Sequence, residues 1–131
     1  MSLLEQYIKE LGEDTQLSEL DIKDVQMKLP AIKHKYAGRL VRAKIKLSEL
    51  YNRRDSTRKE VVERLQGESP YKLSDAVAAK TADKHTTMVD IHAQIYETKI
   101  IIELMEKAEK IFNPMTFDIK NMIDIMKLEV E

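Results

Sequence analysis

The pattern that most restricts this chain is a repeat of apolar residues at steps of three and four. Tyr36, Leu40, Ala43, Leu47 and Leu50 fall on one stripe, and Met88, Ile91, Ile95, Ile102, Met105, Ala108 and Phe112 on another. Such steps gather side chains on one face of a helix, and two such faces cover each other as a heptad seam. No segment alternates with period two for long enough to argue a strand. The expected fold is all-α.

Breakers divide the chain. They are Gly12 to Thr15, Pro30, "GESPYKLS" at 67–74 and "NPMT" at 113–116. The spacing predicts helices over 3–11, 18–29, 31–66, 75–112 and 116–130. Pro30 suits a first helical turn, where its missing N–H loses no bond. Ser74 and Thr116 stand at N-cap positions, with Asp75 and Asp118 following to complement the helix dipole. The 131 residues are expected to form one domain. It would comprise short N-terminal helices over 1–29, a long antiparallel hairpin over 31–112 and a C-terminal assembly helix over 113–131. Folding back through 67–74 would set opposite each other residues whose numbers total about 140. A 36-residue helix is ~54 Å long, whereas a compact chain of this size has a radius of gyration of ~14 Å. The hairpin is therefore expected to be elongated, with too little interior for every apolar side chain. The surplus lies toward the C-terminus, where Phe117, Ile119, Met122, Ile123 and Met126 form a band widened by Ile125 and Leu128. That band predicts oligomerisation.

Several function classes are disfavoured. Hydrophobic residues make up 43% and charged residues 34%, and no apolar run reaches the length of a membrane span. The N-terminus lacks the basic start and apolar block of a secretory signal. Without cysteine there is no thiolate or disulfide chemistry, which agrees with a reducing cytoplasm. Glycines at 12, 38 and 67 cannot build a phosphate loop or dinucleotide fingerprint. His34, His85 and His92 have no ligating residue three or four positions away, as a helical metal pair needs. Ser56 and Ser69 have no neighbouring base in sequence, and Glu103 and Glu106 pair with Lys107 and Lys110 on a solvated face. No catalytic residue, metal or cofactor is expected, and the chain is not read as an enzyme.

Charge carries the positive signal. The net of −1 conceals a basic block: residues 28–59 hold eleven basic and two acidic side chains, a net of +9, while 1–27 and 60–131 each net −5. Within "LYNRRDSTRKEVV" the apolar seam stops, and Arg53, Arg54, Arg58 and Lys59 fill the gap. Opposite would lie residues 81–87, where the second stripe also fades. Lys33, Lys35, Arg39, Arg42, Lys44 and Lys46 precede it. Arginine forks match phosphate geometry, so a polyanion is one natural partner. No base-reading motif is visible, so such binding would be backbone-directed. Tyr36, Tyr51 and Tyr71 are candidates to stack on unpaired bases, with seam packing as the competing role for Tyr36. The alternative partner is an acidic protein surface or a neighbouring copy, which would make the chain a structural coiled-coil adaptor. An amphipathic membrane helix fits poorly, because the basic helix lacks Trp and Phe on its apolar face.

From about residue 20 onward, "LPAIKHKYAGRLVRAKIKLSELYNRRDSTRKEVVERLQGESPYKL" and "IIIELMEKAEKIFNPMTFDIKNMIDIMKLE" resemble the UvsY recombination mediators of T4-like phages. The shared features are the basic-aromatic "KHKY", a basic helix ending near a Gly turn, and the terminal "FDIKNMIDIMKLE". The resemblance implies a helical ring-forming oligomer in the host cytoplasm that binds single-stranded DNA. It would load a RecA-class phage recombinase onto strands covered by the phage single-strand-binding protein. Arg58, Lys59 and Gly67 sit near the family's basic motif, but "VVERLQGES" lacks the two tyrosines expected there.

Overall fold

The computed structural model describes residues 2–16 and 22–130. Four helices follow in order: α1 (Leu3–Asp14), α2 (Ile22–Glu68), α3 (Asp75–Asp83) and α4 (Thr86–Val130). The fold is all-α, with no strand among the described residues. The expected start of a helix at residue 18 lies outside the described residues.

Each helix start has a local cause. The Ser2 hydroxyl accepts from the Glu5 N–H at 3.1 Å and opens α1. Ser74 does the same for α3, accepting from the Val77 N–H at 3.2 Å, as its N-cap position predicts. Among the breakers, the 67–74 stretch separates α2, which ends at Glu68, from α3, and the stretch Gly12 to Thr15 ends α1, but the two prolines do not act as expected. α1 continues through Gly12 to Asp14. Pro30 and Pro114 lie inside α2 and α4, so α2 replaces the separate helices expected at 18–29 and 31–66, and α4 joins the helix expected at 116–130 to the part of the 75–112 helix from Thr86 onward. Thr116 is consequently interior to α4 and caps nothing. Each proline removes one intrahelical bond, yet packing carries α2 across it: Val25 and Leu29 before Pro30 and Tyr36 after it are all buried.

A break that the spacing missed separates α3 from α4. The Lys84 and His85 N–H groups bond back to the Thr81 and Ala82 carbonyls at 3.1 and 2.9 Å, which tightens the end of α3. His85 then starts α4, its Nδ1 accepting from the Thr87 N–H at 3.3 Å and its carbonyl from the Val89 N–H at 2.9 Å.

The chain divides into two compact units. The first comprises residues 1–42 and 100–131. Its buried side chains include Val25, Leu29, Tyr36 and Leu40 from α2, with Ile101, Met105, Ala108 and Phe112 from α4. The Tyr36 and Phe112 rings stack there at 5.3 Å between centroids. The second comprises residues 43–99. Leu50, Met88, Ile91 and Ile95 form its cluster, with Leu47 and Tyr51 packed against it. Contacts near numbers totalling about 140 hold in this unit, where Leu50 joins Ile91 in the core and Arg58 reaches Asp83. In the first unit the partners are Tyr36 with Phe112 and Lys33 with Thr116, several residues off that register. Along α4 the core side includes Thr98 and Ile101, leaving Ile102 only half-buried. Thr98 satisfies its hydroxyl by donating to the Gln94 carbonyl at 2.7 Å.

Candidate nucleic-acid interface

The ten cations singled out from the sequence fall into distinct environments. In the first unit, Lys33 donates to the Thr116 hydroxyl at 3.1 Å. Lys35 meets the Asp14 carboxylate at 2.6 Å and Glu10 at 3.7 Å. Arg39 pairs with Glu10 and lies over the Tyr7 ring, 4.3 Å from its centroid. The Tyr36 hydroxyl donates to the same Asp14 oxygen at 2.7 Å. Acidic α1 is thus fastened to the basic face of α2 by two carboxylates. The guanidinium of Arg39 holds the Glu10 carboxyl below the usual carboxylate range, chiefly through their hydrogen bond and against a smaller opposing effect of burial. Burial first, then the bond to Asp14, pushes the Tyr36 phenol well above its ordinary value. Arg42 is exposed and runs back along α2 over Gly38, where an added Cβ would come within 3.3 Å of its Nη1.

In the second unit, Lys44, Lys46, Arg53 and Lys59 are exposed and pair with no carboxylate among the described residues. Arg54 and Arg58 are different. Arg54 donates to its neighbour Asp55 at 3.0 Å and sits 4.9 Å from the Tyr51 ring centroid. Lys99 approaches the same ring at 5.7 Å. Arg58 donates to Asp83 at 3.0 Å, and His92 Nε2 stands 3.8 Å from that same oxygen. The gap in the α2 seam therefore meets the α3–α4 junction, a polar joint with its own ion pair.

The aromatic candidates divide as well. Tyr36 is fully buried against Phe112, so it has no free face for a base. Tyr51 is half-buried between two cations, and Tyr71 is exposed. Sequence reasoning did not single out Lys99, Tyr7, Glu10 or Asp14. For the last two a signal existed, because the acidic residues 1–27 precede a strongly basic block.

Toward the end of α4, Phe117, Met122, Ile125, Met126 and Leu128 are exposed, and no side chain from 113 to 129 is buried. Ile119 and Ile123 are half-buried; with Leu29 and Pro30 they line a groove of about 630 Å³ rimmed by Lys33, Lys120 and Lys127. Among the described residues no cluster of three or more metal-ligating side chains occurs, and no helix is long and apolar enough to cross a membrane.

These features describe an all-α chain with exposed cations along α2 and exposed apolar side chains toward the end of α4. Comparison with known protein families, curated proteins and solved structures finds no match to it.

Proposed function

We propose that this chain is a non-enzymatic binder of single-stranded DNA that acts, as its resemblance to the UvsY family implies, as a phage recombination mediator. It grips the phosphate backbone without reading sequence, and it assembles into a homo-oligomeric ring through the apolar end of α4. In the host cytoplasm it promotes loading of a RecA-class recombinase onto strands covered by single-strand-binding protein. The observation that carries this reading is the set of exposed, unpaired cations Lys44, Lys46, Arg53 and Lys59 along one helix. Arginine and lysine so exposed exchange condensed counterions for phosphates, the main source of sequence-independent affinity. In an oligomer such modest sites combine by effective concentration.

The test is a fluorescent oligonucleotide titration over a salt series, with light scattering alongside. Arg53→Ala with Lys59→Ala leaves every ion pair described above intact, so helix content and assembly should persist. The log–log salt slope should flatten by ~0.7 for each phosphate that is no longer neutralised. Undiminished affinity and slope would remove these residues from the site.

A second reading is the adaptor, a chain whose basic block docks an acidic protein. It is favoured by one observation, that Lys35 and Arg39 already hold carboxylates of α1. An assembly whose scattering and fluorescence ignore DNA at low salt would favour it.

A further inference from the structure

The contacts that fasten α1 are the kind a phosphate would make on the same cations. Asp14 takes one bond from the Lys35 ammonium and another from the Tyr36 hydroxyl, while Glu10 takes the Arg39 guanidinium. Lys35, Arg39 and Arg42 lie at steps of four and three, so they share one face of α2, and Arg42, the one that α1 leaves unpaired, is exposed. We infer that α1 is an internal competitor for nucleic acid: docked, it occupies Lys35 and Arg39 with Glu10 and Asp14, and released, it surrenders both to a DNA backbone. This rests on reading the basic block as the DNA-binding surface, and it names a regulation of that surface.

Three features make the contact reversible. No residue of α1 is buried: Leu4, Tyr7 and Leu11 are half-buried and Leu3 and Ile8 are exposed, so the apolar anchoring of the helix is partial. Its charged contacts are partly exposed ion pairs, which salt screens and competing anions displace. The seat is also imperfect: Arg39 Nη1 is buried and finds no hydrogen-bond partner among the described residues. The two non-bridging oxygens of a backbone phosphate can take both prongs of a guanidinium fork, which would give Arg39 Nη1 the partner it lacks.

The experiment compares full-length wild type with Glu10→Gln/Asp14→Asn and with the control Glu5→Gln/Glu13→Gln. The control removes the same two charges from the same helix, at exposed side chains to which no cation is bound. Affinity for a fluorescein-labelled oligonucleotide is measured from low to high salt. The first variant should bind more tightly and show a salt slope steeper by ~0.7 for each cation released, about 1.4 in all. The control should match wild type in slope. Adding Lys35→Ala/Arg39→Ala to the first variant should abolish the gain. In wild type, hydrogen exchange of the α1 amides should accelerate on adding oligonucleotide. Equal slopes for the two double variants, or α1 amides unchanged by DNA, would overturn the competitor role while leaving DNA binding in place. Absence of salt-dependent binding in every form would overturn both.

Discussion

Asp14 accepts from the Lys35 ammonium and the Tyr36 hydroxyl at once, which ties the acidic helix to a buried aromatic. This residue cluster sets two pH limits. The Glu10 carboxyl is depressed below its ordinary value of 4.5, so the stability it contributes is present above that pH and is lost as pH falls through the lower folded value. The Tyr36 phenol is raised above 10.0, so its contribution is complete below pH 10.0 and is lost as pH climbs beyond it. Urea midpoints should hold steady between those limits and decline outside them. Glu10→Gln should flatten the acid decline, and Tyr36→Phe the alkaline one. An unaltered alkaline decline in Tyr36→Phe would show that the buried phenol does not drive it.

At the scale of elements, α2 and α4 each run through a proline, and burial on both sides supports the crossing only in α2. Around Pro30 the supporting side chains lie on both sides, Leu29 before and Tyr36 after. Around Pro114 the support is one-sided: Phe112 is buried before it, and no described side chain after it is. Pro114→Ala restores a donor for the Lys110 carbonyl and should stabilise the end of α4, by at most ~3 kcal/mol. Ser74→Ala works in the other direction, removing the acceptor for the Val77 N–H and costing about 1 kcal/mol. Circular dichroism melts of the two variants should shift oppositely. A fall in midpoint for Pro114→Ala would mean that the proline serves a packing role.

For the molecule as a whole, the proposed function assigns the exposed Phe117, Met122, Ile125, Met126 and Leu128 at the end of α4 to contact with a second copy. Met122→Glu with Met126→Glu places two charges among those side chains, at positions already about half exposed, so the fold should survive. Under the proposed function the scattering mass should drop toward that of a single chain. Oligonucleotide affinity should fall by about tenfold or more as effective concentration declines. A variant that keeps its mass would direct the assembly surface elsewhere, with the basic block meeting acidic residues of a neighbouring copy as the next candidate.

What could be read directly from the residues was whatever depends on period and composition. Apolar steps of three and four dictate helices, and Tyr36, Leu40, Ala43 and Leu50 are buried as that period requires. The choice between Ile101 and Ile102 was less legible, because they stand four and three residues before Met105 and only packing selects Ile101. The cations were legible as a set but not in their separate states. Whether Arg53 stays open while Arg58 takes Asp83 depends on which carboxylate a distant segment brings within 3.0 Å. The same holds for the breakers. Proline acts locally through one missing bond, whereas the burial that overrides it at Pro30 comes from side chains far along the chain. The sequence by itself determined the helical class, the basic block and the apolar tail, since each follows from residue type and spacing. The tertiary structure alone decided that α2 and α4 are continuous, that α3 stands apart, and that α1 sits on Lys35 and Arg39, since each depends on groups meeting through space.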